Sequence, residues 1–289
     1  MEKQIEKIYS RPARPGMVGD GFRIFNYFPN AELTQQRVSP FLMMDFNAEY
    51  DFGPSDYLRG VDVHPHKGFE TVTIAYKGSV AHHDSTGNSG VINPGDVQWM
   101  TAGAGILHKE YHEKEFSKKG GPFEMVQLWV NLPKKNKLAS PRYQAITADK
   151  MGKVVLPANS GIVNVIAGTF NEQKGPGTTF TPVNMFDIRL NKAGNLNTKI
   201  PVNHNTVLLV VSGEITVNGE KSGLHDFILF KNEGDEISIS AEKESVVLLL
   251  SGEPINEPIA QYGPFVMNTH QELQEAFQEF QSGKFGVLD

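Results

Sequence analysis

The stretch TVTIAYKGSV at residues 71–80, together with NPGDVQWM at residues 93–100, decides the fold. Its β-branched and aromatic residues predict short strands, the first of which ends at a Lys-Gly-Ser turn. The Asn-Pro-Gly-Asp tetrapeptide predicts a tight turn that leads into a further strand. This order of strand, turn, strand, Pro-Gly-Asp turn and strand favours a jelly-roll barrel.

A similar pattern returns in the second half of the chain. VLLVVSGEITV at residues 207–217 resembles residues 71–80 around its glycine, and FILFKNEGDEI at residues 227–237 resembles VINPGDV at residues 91–97. Helical periodicity is nearly absent, except after a THQE capping box at residues 269–272. We therefore predict an all-β protein of two tandem jelly-roll domains with a short C-terminal helix.

The polar segment LPKKNK at residues 132–137 lacks apolar periodicity and marks the predicted domain boundary. The expected ranges are 1–135 for the N-terminal domain and 142–289 for the C-terminal domain. We expect the lysines of this segment to form a solvated linker rather than a nucleic-acid patch.

The composition excludes several classes of protein. The 289 residues carry a formal net charge of -6, which argues against direct nucleic-acid binding because such domains are usually basic. Since the chain has no cysteine, a metal ion would have to be held by histidine, carboxylate or water. No apolar run reaches about 18 residues and the N-terminus is polar, so we expect a cytoplasmic protein that does not enter a membrane.

Two segments carry paired metal-ligating side chains. VHPHKGFET contains His64 and His66, and GAGILHKE contains His108 and Glu110. Residues two apart in a strand point to the same face, so each segment can aim two ligand atoms in one direction. If the segments face each other, they offer three nitrogens and one oxygen to a single ion.

The internal repeat locates this chemistry in one domain. Counted from the matching turns, the positions that correspond to the four ligands in the second half are Lys199, Pro201, Val247 and Leu249. None of them is a usual metal ligand. We therefore expect metal in the N-terminal domain and a C-terminal domain without these ligands.

The longest motifs resemble the signature of the pirin family, whose members are two-domain cupins. They are HPHKGFETVT at residues 64–73 and DSTGNSGVINPGDVQWMTAG at residues 84–103. PFLM at residues 40–43, QLWVNLP at residues 127–133 and the segment at residues 252–269 fit as well. The resemblance covers nearly the whole chain, and it implies one mononuclear metal centre, usually of iron, in the N-terminal cupin domain.

The family's ligands, transferred to this chain, are His64, His66, His108 and Glu110. Glu110 is also the expected catalytic group. The expected cofactor is Fe(II), with zinc, manganese, nickel or copper as substitutes. Pirins commonly have serine where this chain has Lys109, and this side chain should point away from the metal.

The expected pocket residues are Met43, Phe46, Phe69, Gln127 and His112, of which His112 lies two residues after Glu110. The apolar segment at residues 41–46 fits either a buried strand or a pocket wall. Glu70 and Gln127 are candidates to hydrogen-bond a coordinated imidazole, with a simple strand or turn contact as the alternative. Surface or turn positions are expected for the remaining histidines, which are His82, His83, His204, His225 and His270.

Three functions are compatible with these observations. The first is a quercetin 2,3-dioxygenase-type enzyme that uses dioxygen to open a flavonol or another chelating enol or catechol. The second is an iron-dependent regulatory protein that binds a transcription factor or a metabolic enzyme. The third is a zinc- or manganese-dependent isomerase or hydrolase, because one fold hosts many chemistries.

Overall fold

The computed structural model describes all 289 residues and consists mainly of short antiparallel strands. The first twelve are β1 (Ile5–Tyr9), β2 (Gly16–Val18), β3 (Phe22–Phe28), β4 (Phe41–Phe52), β5 (Gly60–His66), β6 (Phe69–Lys77), β7 (Val80–Asp84), β8 (Ser89–Ile92), β9 (Val97–Thr101), β10 (Ile106–His112), β11 (Gly121–Asn131) and β12 (Arg142–Ile146). The other fourteen are β13 (Gly152–Leu156), β14 (Gly161–Ala167), β15 (Thr169–Phe170), β16 (Gln173–Lys174), β17 (Val183–Leu190), β18 (Asn195–Lys199), β19 (Asn205–Ser212), β20 (Ile215–Val217), β21 (Glu220–Ser222), β22 (Phe227–Phe230), β23 (Glu236–Ala241), β24 (Ser245–Gly252), β25 (Ala260–Tyr262) and β26 (Phe265–Met267). The predicted all-β class is confirmed.

The helices are few and short: α1 (Gln35–Val38), α2 (Lys114–Lys119) and α3 (His270–Gln281). The capping box predicted for the last helix is present. The backbone N–H of Glu272 donates to Thr269 Oγ1 at 3.1 Å, and the Glu272 carboxylate accepts from the backbone N–H of Thr269 at 2.9 Å. None of the three helices has the length and apolar character needed to cross a bilayer.

The chain folds into two compact units. The motif unit, which contains both histidine motifs, comprises Arg14–Gln35, Phe41–Ala148 and Ile255–Asp289. The other unit comprises Met1–Ala13, Gln36–Pro40 and Asp149–Pro254. The main change of unit lies near residue 148, residues 1–13 belong to the other unit, and residues 255–289 belong to the motif unit. The ranges 1–135 and 142–289 stay a prediction for the domains.

Strand pairing and apolar contacts explain to which unit each end of the chain belongs. β1 runs antiparallel to β22, with Ile8 opposite Ile228, and both Ile5 and Ile8 pack against the core of the other unit. At the opposite end, Phe265 of β26 and Leu273 of α3 share an apolar cluster of the motif unit. Pairings over such long sequence separations leave no local trace in the sequence.

The motif unit contains two antiparallel sheets and a terminal hairpin. The larger sheet has the order β12-β9-β6-β11-β4-β3-β2, and the smaller has the order β5-β10-β7-β8. Apolar residues of both sheets share one core cluster, for example Ala75 and Met125 from the larger sheet and Val80 and Ile92 from the smaller. The two sheets therefore pack face to face, as the jelly-roll prediction requires.

The other unit repeats this plan with different side chains. Its sheets have the orders β1-β22-β19-β24-β17-β14-β13 and β18-β23-β20-β21. Val247 and Leu249, the counterparts of two ligand positions, lie in its hydrophobic core. Lys199 is exposed, and its Nζ lies 3.1 Å from Glu236 Oε1.

Candidate metal centre

Three histidines converge where β5 and β10 lie side by side. His108 is directly opposite His64 in this antiparallel pair, and His66 follows two residues later on the same face. The ring centroids of His64 and His108 are 4.2 Å apart, and one nitrogen from each of the three rings lies within 4.8 Å of the others. The two histidine motifs therefore face each other.

The Nδ1 atoms of two rings are engaged by backbone carbonyls. His64 Nδ1 lies 2.8 Å from the Asp62 oxygen, and His66 Nδ1 lies 3.4 Å from the Pro264 oxygen. Because a carbonyl only accepts, Nδ1 carries a proton in both rings, and the neutral form of each ring has its lone pair on Nε2. Burial lowers the pKa of His66 and of His108 well below the usual value, so both rings are neutral near pH 7.

His108 is oriented by a buried His82–Asp84 pair. His82 Nε2 donates to Asp84 Oδ2 at 3.1 Å, which leaves a lone pair on His82 Nδ1 to accept from His108 Nδ1 at 3.4 Å. Burial would raise the pKa of Asp84, but hydrogen bonds from His82 and Thr86 hold that pKa below its usual value. His108 Nε2 is buried without a hydrogen-bond partner. Such a lone pair, next to two similar ring nitrogens, fits a divalent metal ion.

His82 corrects one expectation from the sequence. It was expected at the surface or in a turn, yet its side chain is fully buried and stacks on Tyr143 with centroids 4.8 Å apart. The neighbouring His83 lies opposite Lys109 in the pairing of β7 with β10, and both are partly exposed. The spacing of His82 and Asp84, two residues apart on one strand, is the signal that could have predicted a pair on one face, although it does not tell whether that face is buried.

Glu110 stands beside His108, at the edge of the histidine trio. Its carboxylate forms a second group with His82 and His108, again with all three ligand atoms within 4.8 Å. Gln127 Nε2 donates to Glu110 Oε2 at 2.9 Å, and the Gln98 amide donates to Oε1. Gln127 therefore hydrogen-bonds the Glu110 carboxylate and not an imidazole.

Glu70, the second candidate for supporting an imidazole, has a different environment. Thr101 Oγ1 donates to Glu70 Oε1 at 2.6 Å, and Arg142 lies 3.8 Å from the same oxygen. Burial raises the pKa of this carboxyl to about 7, against the effect of these polar neighbours. Glu70 is thus a buried carboxyl that hydrogen-bonds the threonine opposite it on the neighbouring strand β9, so the alternative of a simple strand contact describes it better.

A cavity of about 330 Å³ opens onto the cluster. His64, His66 and Glu110 form part of its wall, and most of the remaining lining is apolar, from Phe22, Ile24, Met43, Met125 and Trp129. Small-molecule sites commonly combine such apolar walls with a few polar groups. Met43 and Gln127, expected from the sequence, both line this cavity.

The other three expected pocket residues lie elsewhere in the motif unit. Phe46 points to the opposite face of β4 because side chains alternate along a strand. Phe69 is fully buried, with its ring 4.2 Å from that of Trp129. His112 Nε2 donates to the Gly21 carbonyl at 2.8 Å, and its ring is buried among phenylalanines. Each of these side chains fills core space behind the cavity wall.

The cavity also contains lining residues that the sequence did not single out. They are Asp45, Asn47 and Trp129, among others. Asp45 and Asn47 follow Met43 at intervals of two along β4, so strand alternation alone would have placed them on the same face. Because the surrounding segment is apolar, these two polar residues were not identified from the sequence as cavity-lining.

A larger concavity of about 640 Å³ lies in the other unit. Its lining includes Thr169, Asn197 and Lys199, and no histidine. Volume alone would favour it as a binding site, but it lacks convergent ligand atoms or a buried unpaired nitrogen. We therefore assign the site to the smaller cavity, where both are present.

Comparison with protein families gives two matches that cover most of the chain. The Pirin family model matches residues 21–130, and the model of the Pirin C-terminal cupin domain matches residues 185–286. A Pseudomonas aeruginosa protein named "Putative quercetin 2,3-dioxygenase" is 43% identical over 283 residues, which cover 98% of each chain.

Solved structures agree with these matches. A crystal structure of quercetin 2,3-dioxygenase from Acinetobacter baumannii is 44% identical, with a TM-score of 0.93 and complete coverage of both chains. The bacterial pirin YhhW of Escherichia coli, solved in complex with nickel(II), is 25% identical with a TM-score of 0.66. That alignment covers 86% of this chain and all of YhhW.

Proposed function

The chain belongs to the pirin family, and from this premise we propose that it is a metal-dependent dioxygenase that opens flavonols of the quercetin type. The observation that carries the proposal is the cluster of three imidazoles, with the Glu110 carboxyl group beside His108, next to a largely apolar cavity. The names of the Pseudomonas and Acinetobacter proteins give further support. We place the reaction in the cytoplasm.

We propose His64, His66, His108 and Glu110 as the ligands of one Fe(II) ion. Three nitrogens and one oxygen suit a divalent first-row metal and leave coordination positions open. When bound, iron would supply the redox chemistry with dioxygen that zinc, which acts only as a Lewis acid, does not. Nickel, as in the E. coli structure, is the main competitor for the same donors.

The residues around the cluster would bind and orient the substrate. Phe22, Met43 and Trp129 offer apolar surface to a flat aromatic molecule and exclude water from the cavity. A carboxylate oxygen of Glu110 would accept the proton of the enol hydroxyl, and the Gln127 and Gln98 amides that donate to Glu110 hold this side chain in position. We thus propose Glu110 as both a metal ligand and the general base.

The test is turnover of quercetin by protein purified without oxygen and loaded with Fe(II). We expect one dioxygen consumed and one carbon monoxide released per flavonol, with the metal content measured on the same sample. The double variant His64→Ala, His66→Ala should lose both metal and turnover, whereas His83→Ala, on the outward face of β7, should retain them. Equal turnover by the double variant and the parent protein would refute the proposal.

A further inference from the structure

The cavity contains a buried amide with no hydrogen-bond partner. Asn47 is 1% exposed, and neither Nδ2 nor Oδ1 of its side chain forms a hydrogen bond. Most buried polar side chains in proteins are paired, so an amide with both its donor and its acceptor free requires an explanation. Since Asn47 lines the cavity beside the metal cluster, a bound molecule is the natural partner.

A second polar side chain lies on the same face of β4. Asp45 also lines the cavity, and Asn26 Nδ2 donates to its Oδ1 at 2.9 Å, which occupies one of its two oxygens. Burial raises the pKa of Asp45 to about 6, so the carboxyl exchanges a proton easily near neutral pH. Asp45 and Asn47 together form what we call the polar end of the cavity.

The polar end lies away from the proposed metal ligands. Asp45 is opposite Gln127 in the pairing of β4 with β11, and Asn47 is opposite Met125. Gln127 in turn donates to Glu110. Asp45 is therefore one strand spacing, about 4.8 Å, beyond the residue that contacts the carboxylate ligand, on the side away from β6. A molecule anchored at the cluster would present a remote substituent to these side chains.

We propose that Asp45 and Asn47 recognise a hydroxyl group on a ring of the flavonol remote from the atoms that bind the metal. A hydroxyl donates one hydrogen bond and accepts others, which matches an amide whose donor and acceptor are both free. A carboxyl oxygen next to it adds an acceptor. The inference rests on the proposed function and deepens it, because it selects polyhydroxylated flavonols over those with unsubstituted rings.

The experiment compares two flavonols in two proteins. Quercetin carries ring hydroxyls, whereas 3-hydroxyflavone keeps the chelating 3-hydroxy-4-ketone and lacks them. Dissociation constants are measured by calorimetry on metal-loaded protein without oxygen, and kcat/KM is measured with oxygen. We expect the parent protein to prefer quercetin by about 10- to 100-fold and Asn47→Leu to lose that preference, because a buried amide left unpaired disfavours the unsubstituted ligand.

Two further variants make the result specific. Met43→Leu, on the same face of β4, should change binding of both flavonols by the same factor. Asn47→Ala repeats the comparison with a smaller side chain if leucine prevents folding, which urea unfolding reports. An unchanged preference in a folded Asn47 variant overturns the recognition role while leaving the proposed function intact. If the parent protein binds and turns over neither flavonol, both proposals fall.

Discussion

His82 Nδ1 lies 3.4 Å from His108 Nδ1, and this contact links the histidine cluster to the buried carboxylate of Asp84. The direction of the hydrogen bonds decides which nitrogen of His108 is free. As long as Asp84 accepts from His82, His82 accepts from His108, and Nε2 of His108 keeps its lone pair. The protonation pattern of three side chains thus prepares one ring nitrogen to bind metal.

Asp84→Asn should weaken metal binding with little change in shape. Asp84 Oδ1 accepts from Thr86 and Asn88, so the asparagine oxygen would take that place and its NH₂ would face His82. Both hydrogen bonds of this relay, from His82 to residue 84 and from His108 to His82, would then reverse their direction. The proton of His108 would move to Nε2. We expect metal affinity to fall about 10- to 100-fold in a competition titration with a chelator.

The control for this prediction is His83→Ala, which removes an imidazole from the same strand but from its outward face. Its metal affinity should equal that of the parent protein. Urea unfolding of the metal-free proteins checks that Asp84→Asn is folded. If the folded variant binds metal as tightly as the parent, the hydrogen-bond relay does not control His108.

Glu70→Gln should change how stability depends on pH. Burial, the largest effect on Glu70, raises the pKa of its carboxyl to about 7 from an ordinary value of 4.5. The folded protein therefore holds the carboxyl proton more tightly than the unfolded chain does. Its contribution to stability is therefore present below pH 4.5 and lost as pH rises to about 7. The loss is on the order of 3 kcal/mol.

The measurement is the free energy of unfolding in urea at pH 5 and pH 8 for the parent and the variant. Glutamine stays neutral, so the difference between the two proteins should move in favour of the variant by roughly 2 to 3 kcal/mol between these pH values. Glu115→Gln, on the exposed surface of α2, is the control and should run parallel to the parent. Parallel curves for Glu70→Gln as well would contradict the raised pKa.

Two lysines bind the same carboxylate of α3 from different environments. Lys67 Nζ lies 2.7 Å from Glu279 Oε2 with its side chain only 4% exposed, and it also donates to the Ala104 carbonyl. Lys284 Nζ lies 3.3 Å from Glu279 Oε1 and is 65% exposed. Exposed ion pairs are worth little, whereas loss of a buried partner leaves polar groups unpaired.

Lys67→Met should therefore destabilise the protein by about 2 kcal/mol, and Lys284→Met by less than about 1 kcal/mol. The first value is reduced from that of a fully buried pair because Glu279 is itself partly exposed. Urea unfolding gives both values, and hydrogen exchange of α3 amides shows whether the helix is released. Equal effects of the two substitutions would mean that burial of Lys67 has no role.

The strand chemistry of the sequence was sufficient for the fold class, whereas the meeting of the two histidine motifs was implied only by the family resemblance. Alternation along β5 and β10 fixes which side chains share a face, and the turns at Gly78 and Asn93 fix the strand order. The sequence could not place β1 in the other unit, because its pairing partner β22 is more than two hundred residues away. Long-range pairing is decided by packing, which no local pattern encodes.

The candidate site was predictable to the same extent. The residues with distinctive chemistry, such as His64 and His108, were found from spacing, and the family resemblance pointed to the same ones. His82 and Asn47 were missed because their roles depend on burial, which the sequence does not give directly. A histidine in a predicted strand gives the same sequence pattern whether its side chain faces solvent or the core. Only its neighbours in the folded structure distinguish these two environments.

Gly60→Ala should disturb the metal cluster through the backbone alone. A methyl group at Gly60 would lie 2.3 Å from the Glu110 carbonyl oxygen and 2.5 Å from Tyr111 Cβ. These atoms belong to the stretch where the register of β5 against β10 shifts between His108 and Glu110. The strands would have to separate there, which we expect to cost about 1 to 3 kcal/mol and to weaken metal binding. Gly53→Ala is the matched control because its added methyl group would meet no atom within 4 Å. Unchanged metal affinity in Gly60→Ala, or an equal loss in Gly53→Ala, would contradict this account.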